Sequence, residues 1–185
     1  MQNRKVSNQR NTATKKKVQE ALLNLLEQKN IDKVTILELC SLAQINRTTF
    51  YNHYGSQYDV LQEIAGTYLE NTALRIQMRM AAGDNFNTCL VEVLEYMREN
   101  RKFLQLLFSQ NYFQLLSVLD VALPHFEEMI MSRQPDEWPH QHKRAMAVFI
   151  QHGIVGLLVD WIKSGCKESA EEEAGLVFSV LGHNH

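Results

Sequence analysis

Apolar residues in this chain recur every three or four positions, and no stretch alternates with a period of two, so the backbone is committed to helices rather than to a sheet. Val18, Ala21, Leu22, Leu25 and Leu26 set one such stripe, at i, i+3, i+4, i+7 and i+8. Only three prolines interrupt 185 residues, which leaves room for long unbroken helices. Helix starts are marked as well. Thr35 with Glu38, Ser56 with Asp59, and Ser169 with Glu172 have the spacing at which a hydroxyl and a carboxylate each bond the other's backbone N–H. Asn46 is a further N-cap.

These marks predict an all-α chain of about nine helices: Thr14 to about Lys29, Thr35 to Ala43, Arg47 to about Tyr54, Ser56 to about Met80, Phe86 to Asn100, Phe103 to Ser109, 112–132 with a bend at Pro124, 140–164, and Ala170 to Leu181. Residues 1–11 are polar, charged and aperiodic, and are expected to form a disordered basic arm. Residues 12–55 then form a three-helix domain and residues 56–185 a second, helical one.

Charge separates the same two regions. Residues 1–54 hold nine Lys and Arg against four acids, a net +5, while residues 55–185 hold ten against seventeen, a net −7. A basic end on an acidic body suggests that only the first part meets a polyanion, although a solvated basic tail would have the same composition. The three cysteines (Cys40, Cys89 and Cys166) are far apart, which fits a reducing cytoplasm better than a disulfide framework. The polar N-terminus carries no signal-peptide core, and no apolar run is read as reaching the ~18 residues that span a bilayer, so no membrane partner is expected.

The segment 35–54, TILELCSLAQINRTTFYNHY, is the most specific. Two short helices flank a three-residue break. Leu39, Cys40, Ala43, Ile45 and Phe50 are spaced to join them face to face. The second helix keeps a polar outer face of Arg47, Thr48, Thr49, Asn52 and His53, as a helix laid in a DNA major groove requires. Arg can pair with guanine, Asn with adenine, and a Thr methyl can touch that of thymine. Tyr51, His53 and Tyr54 are candidate phosphate donors, which would fix register. Thr35 heads a helix whose first N–H groups can hold a phosphate. For Lys15, Lys16 and Lys17, a solvated face and a backbone contact fit equally well.

Residues 14–62 resemble the DNA-binding domain of the TetR/AcrR repressors. The run Thr49-Phe50-Tyr51-Asn52-His53-Tyr54, followed by Ser56 and Asp59-Val60-Leu61, carries the likeness most strongly, and the helix sizes beyond it extend it over nearly the whole chain. The C-terminal VDWIKSGCKESAEEEA is similar to a subgroup that includes regulators of dihydroxyacetone-kinase operons. The resemblance implies a sequence-specific transcriptional regulator that binds double-stranded operator DNA as a homodimer. It implies a repressor released by a small-molecule effector, with a partner-protein-controlled activator or adaptor as the alternative. Two residues depart from the pattern. Gln44 replaces the usual turn Gly, so a left-handed backbone there would cost ~1 kcal/mol or more. Gln57 replaces a Lys that contacts phosphate in many relatives.

Outside that domain the signals are plainer. Residues 140–164 are apolar nearly all round, and together with the last helix they are the candidate dimer interface: Phe149, Gly153, Ile154, Gly156, Leu157, Trp161, Leu176 and Val180. The resemblance implies a ligand cavity, for which Tyr68, Met97, Phe108, Tyr112, Phe113 and His152 are candidates among the aromatic and Met residues of the bundle. Seven histidines suggest a metal, but His140, His142, His183 and His185 lack completing ligands at normal spacing, and His125 and His152 read as core residues. No phosphate-binding Gly loop, nucleophile elbow or acid pair appears, so neither an enzyme nor a cofactor is expected.

Overall fold

A computed structural model of the chain describes residues 2–110 and 126–182. Among them are nine α-helices and no strand: α1 Gln2–Leu26, α2 Ile36–Ala43, α3 Arg47–Tyr51, α4 Gln57–Ala81, α5 Phe86–Glu99, α6 Arg101–Ser109, α7 Phe126–Met131, α8 His140–Lys163 and α9 Ala170–Gly182. A short 3-10 turn, Ile31–Lys33, joins α1 to α2. The all-helical class is the one the apolar spacing implied.

The cap assignments hold at each marked site. Thr35 and Glu38 form a reciprocal capping box, and Asn46 accepts the Thr49 N–H at 2.7 Å. Asp59 accepts the N–H groups of Gly55 and Ser56 at 2.8 and 3.1 Å. Ser169 N–H donates to Glu172 at 2.8 Å, and the Glu172 N–H donates back to Ser169 Oγ at 3.2 Å. Asn85, which the sequence reading passed over, caps α5 by accepting the Thr88 N–H at 2.9 Å.

Two boundaries differ from expectation. Helix α1 begins at Gln2 rather than near Thr14, so residues 2–11 are helical and not a disordered arm. Polar composition misled here. Residues 2–13 contain no Gly or Pro, and once the striped half is nucleated each added residue gains a hydrogen bond at little cost. Helix α3 stops at Tyr51, not Tyr54. The His53 N–H turns back to the Phe50 carbonyl at 2.9 Å, tightening the last turn.

The chain divides into two compact units, Met1–Tyr68 and Leu69–His185. The division falls inside α4 rather than at residue 55, because the first turns of α4 are tied to α1 and to the end of α3 by Glu63. The core of the first unit includes Val18, Leu22, Leu26, Leu39, Cys40, Ala43 and Phe50. In the second, α9 lies on α5 and α8, and Leu94, Leu104, Ile150, Leu158, Ile162 and Val177 are buried. Helix α8 is 24 residues long and holds an 18-residue stretch with a mean hydropathy of 1.7, so by length and composition it could cross a bilayer, contrary to the sequence reading. One side of it packs within the unit, with Ala147, Ile150, Ile154, Val155, Leu158 and Ile162 all below 5% exposure.

Candidate nucleic-acid interface

The first unit displays α3 on a rigid support. Phe50 is fully buried and anchors the helix, and Leu39, Cys40 and Ala43 of α2 are buried with it. The turn between the helices closes through a left-handed residue, Gln44, at φ 56° and ψ 46°. Its N–H reaches the Ser41 carbonyl at 3.2 Å, and the Ile45 N–H reaches that of Cys40 at 3.0 Å. These are the two bonds of a Schellman ending, whose left-handed position is normally taken by Gly. The strain foreseen from the missing Gly is therefore present in the backbone.

On this support Arg47, Thr48, Tyr51 and Asn52 are exposed, and Thr49 and His53 are half-buried. All six stand in or just after α3. Tyr51 is 57% exposed although its ring edge meets Phe50, so its hydroxyl end is free to reach outward. Thr35 is exposed too, but its hydroxyl is engaged with Glu38 at 2.8 Å.

Tyr54 does not belong to this face. It is 5% exposed, and its hydroxyl donates to Glu63 at 2.5 Å. Burial, and then the Glu63 carboxylate, raises its pKa well above the ordinary phenol range. Its place in the aromatic run had suggested a phosphate donor; its position after the tightened turn points it inward instead.

The basic residues are less available than their number implied. Lys15 pairs with Glu63 at 2.6 Å, Lys29 with Glu38 at 2.5 Å, and Lys16 lies 3.9 Å from Glu20. The hydrogen bond from Lys29, then those from Thr35, hold Glu38 at a pKa of about 2. In the first unit Lys17, Lys33 and Arg47 are exposed, and no ion pair among the described residues engages them. Exposed pairs such as Lys16–Glu20 exchange readily with a phosphate, whereas Lys15 is held by more than one contact. Gln57 begins α4 and is half-buried. The N–H groups just before it already serve the Asp59 carboxylate, so a phosphate arriving there would meet that acid.

In the second unit the candidate dimer residues divide. Phe149 is 74% exposed and Leu176 45%; Gly153 and Gly156 are exposed, with open space where a Cβ would stand; Leu157 and Val180 are half-buried. Ile154 and Trp161, each 3% exposed, are core residues of the second unit, and the Trp161 indole donates to the Glu168 carbonyl at 3.1 Å. The all-round apolar pattern of α8 could not separate its inner from its outer face. The outer face holds Ala145, Val148, Phe149, His152, Gly153 and Gly156, all exposed.

The candidate pocket residues stand on several elements. Met97 is buried in the α5 core, Phe108 is half-buried on α6, and Tyr68 belongs to the first unit. His152 is exposed, with Nδ1 2.8 Å from the Val148 carbonyl, so it is not a core residue. Tyr112, Phe113, Pro124, His125, His183 and His185 lie outside the described residues. His140 and His142 are exposed, as expected. The second unit has an open groove of about 600 Å³ elsewhere, lined by Asn71, Leu74, Arg75, Met78 and Arg79 of α4 and by Glu92 and Tyr96 of α5. There the Arg75 guanidinium stacks 4.2 Å from the Tyr96 ring, and Arg79 pairs with Glu92 and with Asp84. The periodicity showed this stretch of α4 as a helix but gave no sign that it would stay uncovered.

Two short helices joined by a tight left-handed turn, the second with a polar outer face, make a helix-turn-helix. Residues 84–182 match the family model of a TetR-type transcriptional regulator C-terminal region, more than half of the chain. The chain belongs to the TetR family of transcriptional regulators. Among solved structures it is similar to a TetR transcriptional regulator from Streptococcus agalactiae, with a TM-score of 0.69 and 19% identity over 95% of this chain and 97% of that one. It is also similar to the dihydroxyacetone kinase operon activator DhaS, with a TM-score of 0.54 and 21% identity over 91% and 93% of the two chains. No curated protein sequence matches.

Proposed function

We propose that this regulator binds double-stranded operator DNA through α3, as a cytoplasmic homodimer, and that a small-molecule effector releases it, making it a repressor. The single observation that carries the DNA reading is the outward face of Arg47, Thr48, Tyr51 and Asn52 on a helix whose other side, Phe50, is fully buried. Such a face can read base edges only if the helix is held firmly, and the cap at Asn46 and the Schellman turn supply that. Arg47, Asn52 and the Thr48 and Thr49 methyls would contact bases, while Tyr51, His53, Thr35, Lys16, Lys17 and the side-chain amide of Gln57 would hold the backbone.

One α3 reads only a few base pairs, so useful specificity wants two, about one DNA turn or ~34 Å apart. The exposed apolar face of α8, with Leu176 and Val180 of α9, supports a four-helix interface between copies. Release requires an effector that binds two arrangements of the helices unequally. The α4–α5 groove is a candidate place for one, with an aromatic wall and two guanidinium groups.

The second reading is a partner-controlled activator. It is favoured by the likeness to a protein described as an operon activator, and by the openness of that groove, which suits a protein surface as well as a small molecule. A gel shift with genomic fragments tests the DNA reading: no fragment retained above nonspecific levels at low salt rejects it. Transcription from the bound promoter, with and without the protein, then separates repressor from activator.

A further inference from the structure

Three side chains from two other segments converge on Glu63 of α4. Lys15 Nζ donates to Oε1 at 2.6 Å, while Tyr54 OH, at 2.5 Å, and Gln19 Nε2, at 3.2 Å, donate to Oε2. Lys15 and Gln19 stand one turn apart on α1 and so present to the same carboxylate. The Lys15 ammonium also lies 5.6 Å over the Tyr54 ring. Tyr54 in turn is bound to α3: its ring centroid is 5.7 Å from that of Phe50, and its N–H donates to the Phe50 carbonyl at 3.0 Å. One path of contacts therefore runs from α4 through Glu63, Tyr54 and Phe50 to α3, with α1 fastened to its middle. Burial works against the charge on Glu63, but the hydrogen bonds from Lys15 and Tyr54 prevail and hold its pKa below the usual carboxylate value.

We infer that Glu63 is a positioning residue for DNA recognition: it fixes the recognition turn against α1 and α4, and so sets discrimination between sequences rather than attraction to DNA in general. The inference rests on the reading of α3 as the DNA-contacting helix. Base readout needs bidentate geometry that a small shift of α3 destroys. Attraction to phosphates is charge-driven and tolerates looser placement. Glu63 also neutralises Lys15, so losing the carboxylate leaves general attraction unchanged or raised.

Affinity is measured for two duplexes of equal length: the genomic fragment that the wild-type protein binds most tightly, and a random sequence. The proteins are the wild type, Tyr54→Phe, Glu63→Gln and the double variant, each first shown by circular dichroism to be folded. The affinity ratio between the duplexes is expected to fall about tenfold in each single variant, the factor carried by one hydrogen bond to a charged group. The double variant falls by less than the product of the two single losses, because both changes weaken the same Tyr54–Glu63 contact. Binding to the random duplex stays level in Tyr54→Phe, and stays level or rises in Glu63→Gln. Tyr54→Phe differs only by a hydroxyl, so it keeps the test decisive if Glu63→Gln fails to fold. An unchanged ratio in a folded single variant overturns the inference. So does a double loss equal to the product of the two single losses, or a parallel fall on both duplexes. A wild-type protein that does not distinguish the duplexes overturns the DNA-recognition reading itself.

Discussion

Replacing Gln44 by Gly should make this protein more stable, and the size of the gain follows from the backbone. Gln44 holds φ 56° and ψ 46°, where an L side chain brings Cβ against the following carbonyl, at a cost of roughly 1–2 kcal/mol. Glycine escapes that cost but loses more freedom on folding, about 0.5–1 kcal/mol. The difference leaves a net stabilisation of about 0.5–1 kcal/mol. For a chain of 185 residues this corresponds to a rise of roughly 1–4 °C in Tm, read by circular dichroism, with a matching shift in the urea midpoint. Gln44→Ala is the control. The side chain is exposed, so trimming it while keeping Cβ should change stability by less than about 0.5 kcal/mol. If Gln44→Gly gains nothing, or if Gln44→Ala gains as much, the strain lies elsewhere and the Schellman argument is refuted. Neither variant should shift the preferred DNA sequence, because Gln44 lies outside α3.

Other outcomes follow from the same geometry. Arg47→Ala should cost about 1–3 kcal/mol on the preferred fragment and relax base preference, while Tyr51→Phe should weaken all sequences alike; selection of bound fragments from a random pool reads both, and equal behaviour of the two variants contradicts that division of roles. Phe149→Asp should halve the mass seen by light scattering without lowering the helical signal, since this side chain is 74% exposed within its own subunit; an unchanged mass places the dimer contact elsewhere. Glu173 is 4% exposed, with one carboxylate oxygen that has no hydrogen-bond partner, and burial, then Glu168 and Asp160, raises its pKa. Its protonated form favours the fold, so its contribution is complete below the usual carboxylate range and is lost as pH rises through the raised value. Glu173→Gln should therefore raise the urea midpoint at neutral pH and leave it nearly unchanged at acid pH; an equal gain at both would deny the titration.

Helix starts were legible in the sequence because a cap is a local device: Thr35, Asn46, Ser56 and Ser169 act on groups within three or four residues of themselves. The outer face of α3 was legible for the same reason, since Phe50 fixes which side is inward. What escaped was pairing across the fold. Glu63 is 48 residues from Lys15, and nothing in the α4 pattern marks it as the acceptor that draws Lys15 and Tyr54 inward. The sides of α8 escaped because its apolar residues leave no polar stripe to orient it, so Ile154 and Trp161 were placed outward with Phe149.

The three thiols carry a consequence for experiment. Cys40 in α2, Cys89 in α5 and Cys166 just after α8 are all buried and free, and burial raises the pKa of each. A thiolate must form before an alkylating reagent can react, so each sulfur reports the moments when its own surroundings open. The labelling rates of the native chain thus form three separate clocks, one in the first unit and two in the second. A compound or duplex that quiets one clock and not the others has revealed where it binds before any complex is solved.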